Sequence, residues 1–231
     1  MRSLGIDGCR AGWVAILRET HSLHWSVASC LEEALPKRIP RHAFIDMPIG
    51  LGEHGARLCD QEARRRLGRE FSSSVFPCPA RAVLKASTYE EANALNRETT
   101  GLGLSKQSFY LLPKIREVDH WLQQRAERLT QLREAHPEVA FMAIKGAPLA
   151  HKKKTEAGFA ERLSLLDRLE PRSPELVEEI CQATRRKDVA PDDVLDALCL
   201  AVMPSAGRLH SLPTRPPRDA EHLPMAIHYF A

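Results

Sequence analysis

The sequence predicts an α/β fold, a mixed sheet with helices on its faces, and three observations predict it. Residues 3–47 alternate short apolar runs with turn residues, the pattern of a meander followed by a further strand. From Gly50 to Ala135 the pattern changes to helical runs and polar loops. A fifth apolar run at 139–144 then precedes three amphipathic helices, an order that suits a sheet covered by helices.

The elements follow in order. Strands are expected at 3–7, 13–18 and 23–29, the third from the alternation of Leu23, Trp25 and Val27. Residues 31–35 can make a turn or two of helix before Pro36 and Pro40 stop it, and a fourth strand is expected at 42–47. Residues 57–69 are a strongly basic helical run. Thr88-Tyr89-Glu90-Glu91 reads as a capping box, in which hydroxyl and carboxylate satisfy each other's amides. The longest helix should begin near Pro113, with Ile115, Val118, Leu122, Ala126, Leu129 and Leu132 on one stripe.

After Pro137, residues 139–144 have strand character and would be the fifth strand. Helices are expected at 155–169, 174–187 and 191–202. The second has Ser173 as cap, Pro174 at its first position and Arg185-Arg186-Lys187 at its negative end. Residues 204–224 are a proline-punctuated loop, and 225–230 could form a last edge strand. Together these make one domain over 1–231, with a five-stranded mixed sheet flanked by helices and a helical insertion at about 52–135 between strands four and five.

At 231 residues and 43% hydrophobic, the chain can bury a full core. A net charge of +3 excludes a purely electrostatic nucleic-acid binder, so any basic patch must be local. The six cysteines contain no C-x-x-C pair, and His136 and His151 complete no zinc spacing, so reduced thiols are expected. The first seven residues are too short and too quickly charged for a signal peptide, and no apolar stretch reaches membrane-spanning length. A cytoplasmic protein with no membrane partner is expected.

The candidate chemistry lies in carboxylates. Asp7 ends the apolar run Leu4-Gly5-Ile6 at a hairpin mouth, and Asp46 ends Ala43-Phe44-Ile45 in the same way. Each alone fits a turn-forming Asp. Asp192 and Asp193 follow Pro191 in a first helical turn, where the dipole explains them. Asp196 lies one turn further in among Val194, Leu195, Ala197 and Leu198. A buried carboxylate there is costly unless a cation or strong donor meets it. Asp192 with Asp196 is an i,i+4 pair and Asp193 with Asp196 an i,i+3 pair, so spacing leaves both open.

Several segments together resemble a known family. They are Gly5-Ile6-Asp7-Gly8-Cys9-Arg10-Ala11-Gly12-Trp13-Val14, Ile45-Asp46-Met47-Pro48-Ile49-Gly50-Leu51 and Arg69-Glu70-Phe71-Ser72-Ser73-Ser74-Val75-Phe76-Pro77. Further along come Leu104-Ser105-Lys106-Gln107, Lys114-Ile115-Arg116-Glu117-Val118-Asp119, His136-Pro137-Glu138 and Asp193-Val194-Leu195-Asp196-Ala197-Leu198. In this order they resemble the family catalogued as domain of unknown function 429, regarded as RNase H-like nucleases. The resemblance implies an RNase H-like sheet whose first strand, fourth strand and C-terminal helix each bring acids to one place. Asp7, Asp46 and the pair Asp193 and Asp196 match that order, with the strand-four placement similar to Holliday-junction resolvases. Glu138, at the family's matching motif, is a further catalytic candidate.

The function expected from this is a metal-dependent nuclease in which Asp7, Asp46, Asp193 and Asp196 hold one or two Mg²⁺ or Mn²⁺ ions. The expected partner is nucleic acid of undetermined type. Arg57, Arg64, Arg65 and Arg69 near one helical stripe, Ser73 in the following loop, and Lys106 are the candidate contacts, and Lys152-Lys153-Lys154 could also reach phosphates. Solvated lysines and an ordinary charged face explain the same residues. Two alternatives stand beside the nuclease: a nucleotide-dependent phosphotransferase or ATPase of the same fold superclass, and a non-catalytic nucleic-acid-binding module. The sequence leaves the oligomeric state open, a homodimer included.

Overall fold

The computed structural model describes every residue except 126, 129 and 130. The chain forms two compact units, the first of Met1–Asp46, Thr130–His210 and His228–Ala231, the second of Met47–Leu129 and Ser211–Ile227.

The first unit is built on a five-stranded sheet. Its strands are β1 (Ser3–Cys9), β2 (Gly12–Arg18), β3 (Leu23–Ala28), β4 (His42–Ile45) and β5 (Arg133–Glu134), in the spatial order β3-β2-β1-β4-β5. β1 to β3 are an antiparallel meander, while β4 runs parallel to β1 and β5 parallel to β4. This mixed order is consistent with an RNase H-like fold. β1 and β2 are buried along almost their whole length, as expected of central strands covered by helices. The helices of this unit are α1 (Leu31–Ala34), then α5 (Pro137–Lys145), α6 (Glu156–Leu169), α7 (Ser173–Ala183) and α8 (Pro191–Val202). α8 is buried from Val194 to Val202 and packs on β1, β2 and β4, with α5, α6 and α7 packed against it.

The second unit holds the helices inserted between β4 and β5: α2 (Leu58–Phe71), α3 (Tyr89–Thr100) and α4 (Lys106–Gln123). Part of its core is Ala80, Val83, Ala86, Ala92, Leu104 and Leu112. Beside it the Arg81 guanidinium spans Asp119 at 2.8 Å and Asp219 at 2.5 Å.

Several expectations are corrected. Residues 139–144, expected as the fifth strand, are helical, and the fifth strand is instead the two-residue β5 just upstream. A short apolar run does not distinguish strand from buried helix. The punctuation decides it: Pro137 at the first position, Glu138 in the first turn and Gly146 closing the helix at φ 71°. α4 begins at Lys106, not near Pro113, because Ser105 caps it by accepting the Ser108 amide at 3.0 Å. Pro113 therefore lies inside the helix. Of the expected stripe, Ile115, Val118 and Leu122 are buried on α4, Leu132 is buried beyond its end, and Ala126 and Leu129 lie outside the described residues.

Other changes are smaller. At α3 the Thr88 hydroxyl accepts from the Glu91 amide at 3.2 Å, but the Glu91 carboxylate accepts from Ser87, one residue earlier than a capping box requires. α7 ends at Ala183, so Arg185, Arg186 and Lys187 follow the helix. The Ser173 hydroxyl donates to the Glu170 carbonyl at 2.6 Å and sits inside α7. A strand β6 (Leu209–Leu212) lies within the expected loop and pairs with β7 (Ile227–Phe230). All six cysteines are reduced and outside any disulfide, as their spacing indicated.

Candidate metal centre

β1 runs on to Cys9, so Asp7 is a residue of the strand, not of its end. Ile6 and Ile45 are register partners across the parallel pair, and the Asp46 amide donates to the Ile6 carbonyl at 3.0 Å. That bond carries the ladder one step past β4 and sets Asp46 beside Asp7, neighbouring strands being about 4.8 Å apart.

Side chains alternate along a strand, so Ser3, Gly5 and Asp7 share one face of β1, and α8 lies across it. The Ser3 hydroxyl donates to the Ala201 carbonyl at 2.5 Å. At Gly5 the contact is between backbones: a Cβ there would stand 2.0 Å from the Ala197 oxygen and 2.4 Å from the Ala201 nitrogen. Only glycine permits that approach. One step further along both elements, Asp196 meets Asp7.

Asp7, Asp46 and Asp196 each offer a carboxylate oxygen, and these oxygens lie within 4.8 Å of one another. Asp7 and Asp196 are buried and Asp46 is half-buried. Asp7 Oδ1 accepts the Gly8 amide at 2.7 Å. Burial, then the charges of Asp46 and Asp196, pushes the Asp7 carboxyl well above the ordinary range. Burial and Asp196 push Asp46 up to about 8. Asp196 is also raised by burial, although Lys153 pulls the other way. The Lys153 Nζ stands 2.9 Å from Asp196 Oδ2 and 3.8 Å from Asp192 Oδ2. Burial opposes its charge, but Asp196, with Asp7 and Asp46 behind it, holds the ammonium above its usual range.

The residues fit a divalent cation. Three carboxylates face one another with a single lysine on one of them, which leaves mutual repulsion that a further positive charge would relieve. The donors are all hard oxygens, the set that Mg²⁺ and Mn²⁺ prefer. With metal–oxygen bonds of about 2.1 Å, opposite ligand atoms sit about 4.2 Å apart. Only one pair of the three can be opposite and adjacent ligand atoms sit about 3.0 Å apart, so the carboxylates, whose oxygens lie within 4.8 Å, would draw in to share one ion.

The other predicted residues are placed differently. The Asp193 carboxylate turns back to accept the Ala190 amide at 2.9 Å at the start of α8, and burial raises it to about 6. It acts on Asp7 and Asp46 through its charge. Glu138, on α5 and not on a strand, is buried, and both of its oxygens are held by Arg162 of α6 at 2.7–3.1 Å. Its charge reaches Asp46 and Asp196, but its carboxylate is committed to the guanidinium.

In the second unit the expected basic stripe is broken. Arg57 is buried before α2, its Nη2 2.6 Å from Asp60 Oδ1 and its Nη1 on the Ile49 and Gly50 carbonyls. Arg64 donates to the Val75 carbonyl at 2.8 Å. Gly68, at φ 71° and ψ 175°, kinks α2 between Arg65 and Arg69 and takes them off one helical line. Arg65, Arg69, Ser73 and Lys106 are exposed.

Two residues organise the centre in a role that sequence reasoning missed. Arg162 shares the buried stripe of α6 with Gly158, Leu165 and Leu166, and a guanidinium on such a stripe signals a buried partner. Lys153 is one of three consecutive lysines, and nothing local distinguishes it from its neighbours. Next to it lies a cavity of about 750 Å³ lined by Lys153, Lys154, Phe159, Arg186, Asp192 and Asp193, among others.

Fold and centre together define an α/β protein with an RNase H-like strand order and a buried carboxylate cluster suited to a divalent ion. A family model described as "Protein of unknown function (DUF429)" matches residues 5–218, and the chain belongs to that family. Comparison with curated proteins and with solved structures gave no match. Among the described residues no helix is long and apolar enough to cross a membrane.

Proposed function

We propose that this protein is a metal-dependent nuclease, a phosphodiesterase acting on nucleic acid from a cytoplasmic setting. The observation that carries the reading is the convergence of Asp7, Asp46 and Asp196, three acids from separate elements whose oxygens lie within 4.8 Å. Held by Asp7, Asp46 and Asp196, Mg²⁺ or Mn²⁺ would supply a metal-activated water and a Lewis acid for the phosphodiester. The chain's own part is to hold that ion rigidly. Asp7 and Asp46 are fixed by the β1–β4 ladder, and Asp196 by the backbone contact of α8 at Gly5. The Glu138–Arg162 pair keeps a further buried carboxylate neutralised beside them. Arg65, Arg69, Ser73 and Lys106 are exposed groups able to meet phosphate oxygens.

The test is a cleavage panel of single-stranded, duplex, hybrid and branched substrates with Mg²⁺ and with Mn²⁺. Asp7→Asn, prepared identically, controls for trace contaminating nuclease. The parent should cleave at least one substrate in a metal-dependent manner and Asp7→Asn should cleave none. Equal cleavage by the two proteins would remove the assignment.

A further inference from the structure

Lys153 lies in the segment between α5 and α6, and that segment is tied down. The Glu161 carboxylate accepts the amides of Ala150 and His151 at 2.9–3.0 Å. Arg162 donates to the His151 carbonyl at 3.0 Å. The Lys152 carbonyl accepts from the Thr155 hydroxyl at 2.9 Å and from its amide at 3.0 Å. It also presses on α6 where there is no side chain: a Cβ on Gly158 would stand 2.0 Å from the Lys152 oxygen. Lys152 and Lys154 are exposed, whereas Lys153 is half-buried with its ammonium on Asp196. A turn fixed by Thr155, Glu161 and Arg162 directs one lysine of the run into the carboxylates.

The position has a consequence for charge. Ionised, Asp7, Asp46 and Asp196 carry three negative charges, and Lys153 returns one. One divalent ion completes neutrality. Asp192 and Asp193 lie in the first turn of α8, where the positive end of the helix dipole offsets them. The ammonium also takes up Asp196 Oδ2 at 2.9 Å, so that oxygen is already engaged by a positive charge.

We propose that Lys153 is a built-in cation of the centre, standing where a second metal ion would otherwise sit, so that the centre holds one divalent ion per chain. This rests on the reading of the cluster as a divalent-metal centre, and the experiment separates the two.

Mn²⁺ bound per chain is counted by electron paramagnetic resonance, alongside calorimetry, for the parent, Lys153→Arg and Lys153→Met. The arginine keeps the charge, and the methionine keeps most of the length without it. One ion is expected in the parent and in Lys153→Arg, and two in Lys153→Met. Two ions in the parent would overturn the proposal and leave the metal centre standing, as would a single ion in a folded Lys153→Met. No ion in the parent would overturn the metal centre itself. Should Lys153→Met fail to fold, the parent count still decides between one ion and two.

Discussion

Replacing Arg162 by methionine is expected to cost about 3–5 kcal/mol of stability, the usual penalty for removing one partner of a buried ion pair. Arg162 is 1% exposed and its guanidinium makes three contacts to Glu138 at 2.7–3.1 Å. It also donates to the carbonyls of His151 at 3.0 Å and Gly158 at 2.9 Å. Arg162→Met strands the Glu138 charge in a region that already contains Asp46 and Asp196. Pairing it with Glu138→Leu should recover most of the loss, because a matched apolar replacement of both partners is often neutral. Urea unfolding of the single and double variants measures both. A single-variant loss below about 1 kcal/mol, the worth of an exposed pair, would contradict the buried ion pair.

In chelator, raising the pH from 6 to 9 is expected to destabilise the protein, and a divalent ion is expected to restore it. The sign follows from which state holds the protons. Asp46 is pushed up to about 8 by burial and Asp196, and Asp7 and Asp196 are raised too, burial leading in each. Between pH 4 and 8 the folded state keeps protons that the unfolded chain has released. The stability Asp46 contributes is complete below the unfolded value near 4 and lost as pH climbs through about 8, and the raised Asp7 and Asp196 act in the same sense. Each unit of displacement is worth about 1.4 kcal/mol, so a third of the Asp46 shift is still about 2 kcal/mol. Glu170, held low by Arg172 and Arg18, works in the opposite sense at acid pH, and for that reason the window starts at 6. Asp46→Asn should flatten the melting-temperature profile, with a higher value than the parent at pH 9. Parallel profiles for parent and variant would contradict the raised carboxyl.

How legible this was in the sequence depended on the range of the interaction. The meander and the fourth strand could be seen because apolar runs and turn residues are local. Asp196 stands out because a carboxylate among Val194, Leu195, Ala197 and Leu198 needs a partner. Residues 139–144 read as a strand because a six-residue apolar run has no decisive period, whereas Pro137 and Gly146 at its ends mark a helix. The basic stripe failed for two reasons: Arg57 is buried on Asp60, and Gly68 takes positive φ within α2. The partners Lys153 and Arg162 depend on contacts 43 and 24 residues away in the chain, with Asp196 and Glu138. No local pattern encodes such a pairing.

The central claim is that Asp7, Asp46 and Asp196 form a divalent-metal centre, and calorimetric Mn²⁺ titration of single variants tests it most directly. Asp7→Asn, Asp46→Asn and Asp196→Asn each remove an anionic donor from the cluster and should weaken binding by at least about a hundredfold, roughly 2.7 kcal/mol. Asp193→Asn, whose carboxylate is engaged by the Ala190 amide, should have a smaller effect. Asp192→Asn should bind much as the parent does, losing only a few tenths of a kcal/mol of helix-dipole stabilisation. If Asp196→Asn binds Mn²⁺ as tightly as the parent, Asp196 is no ligand and the centre is not the one described.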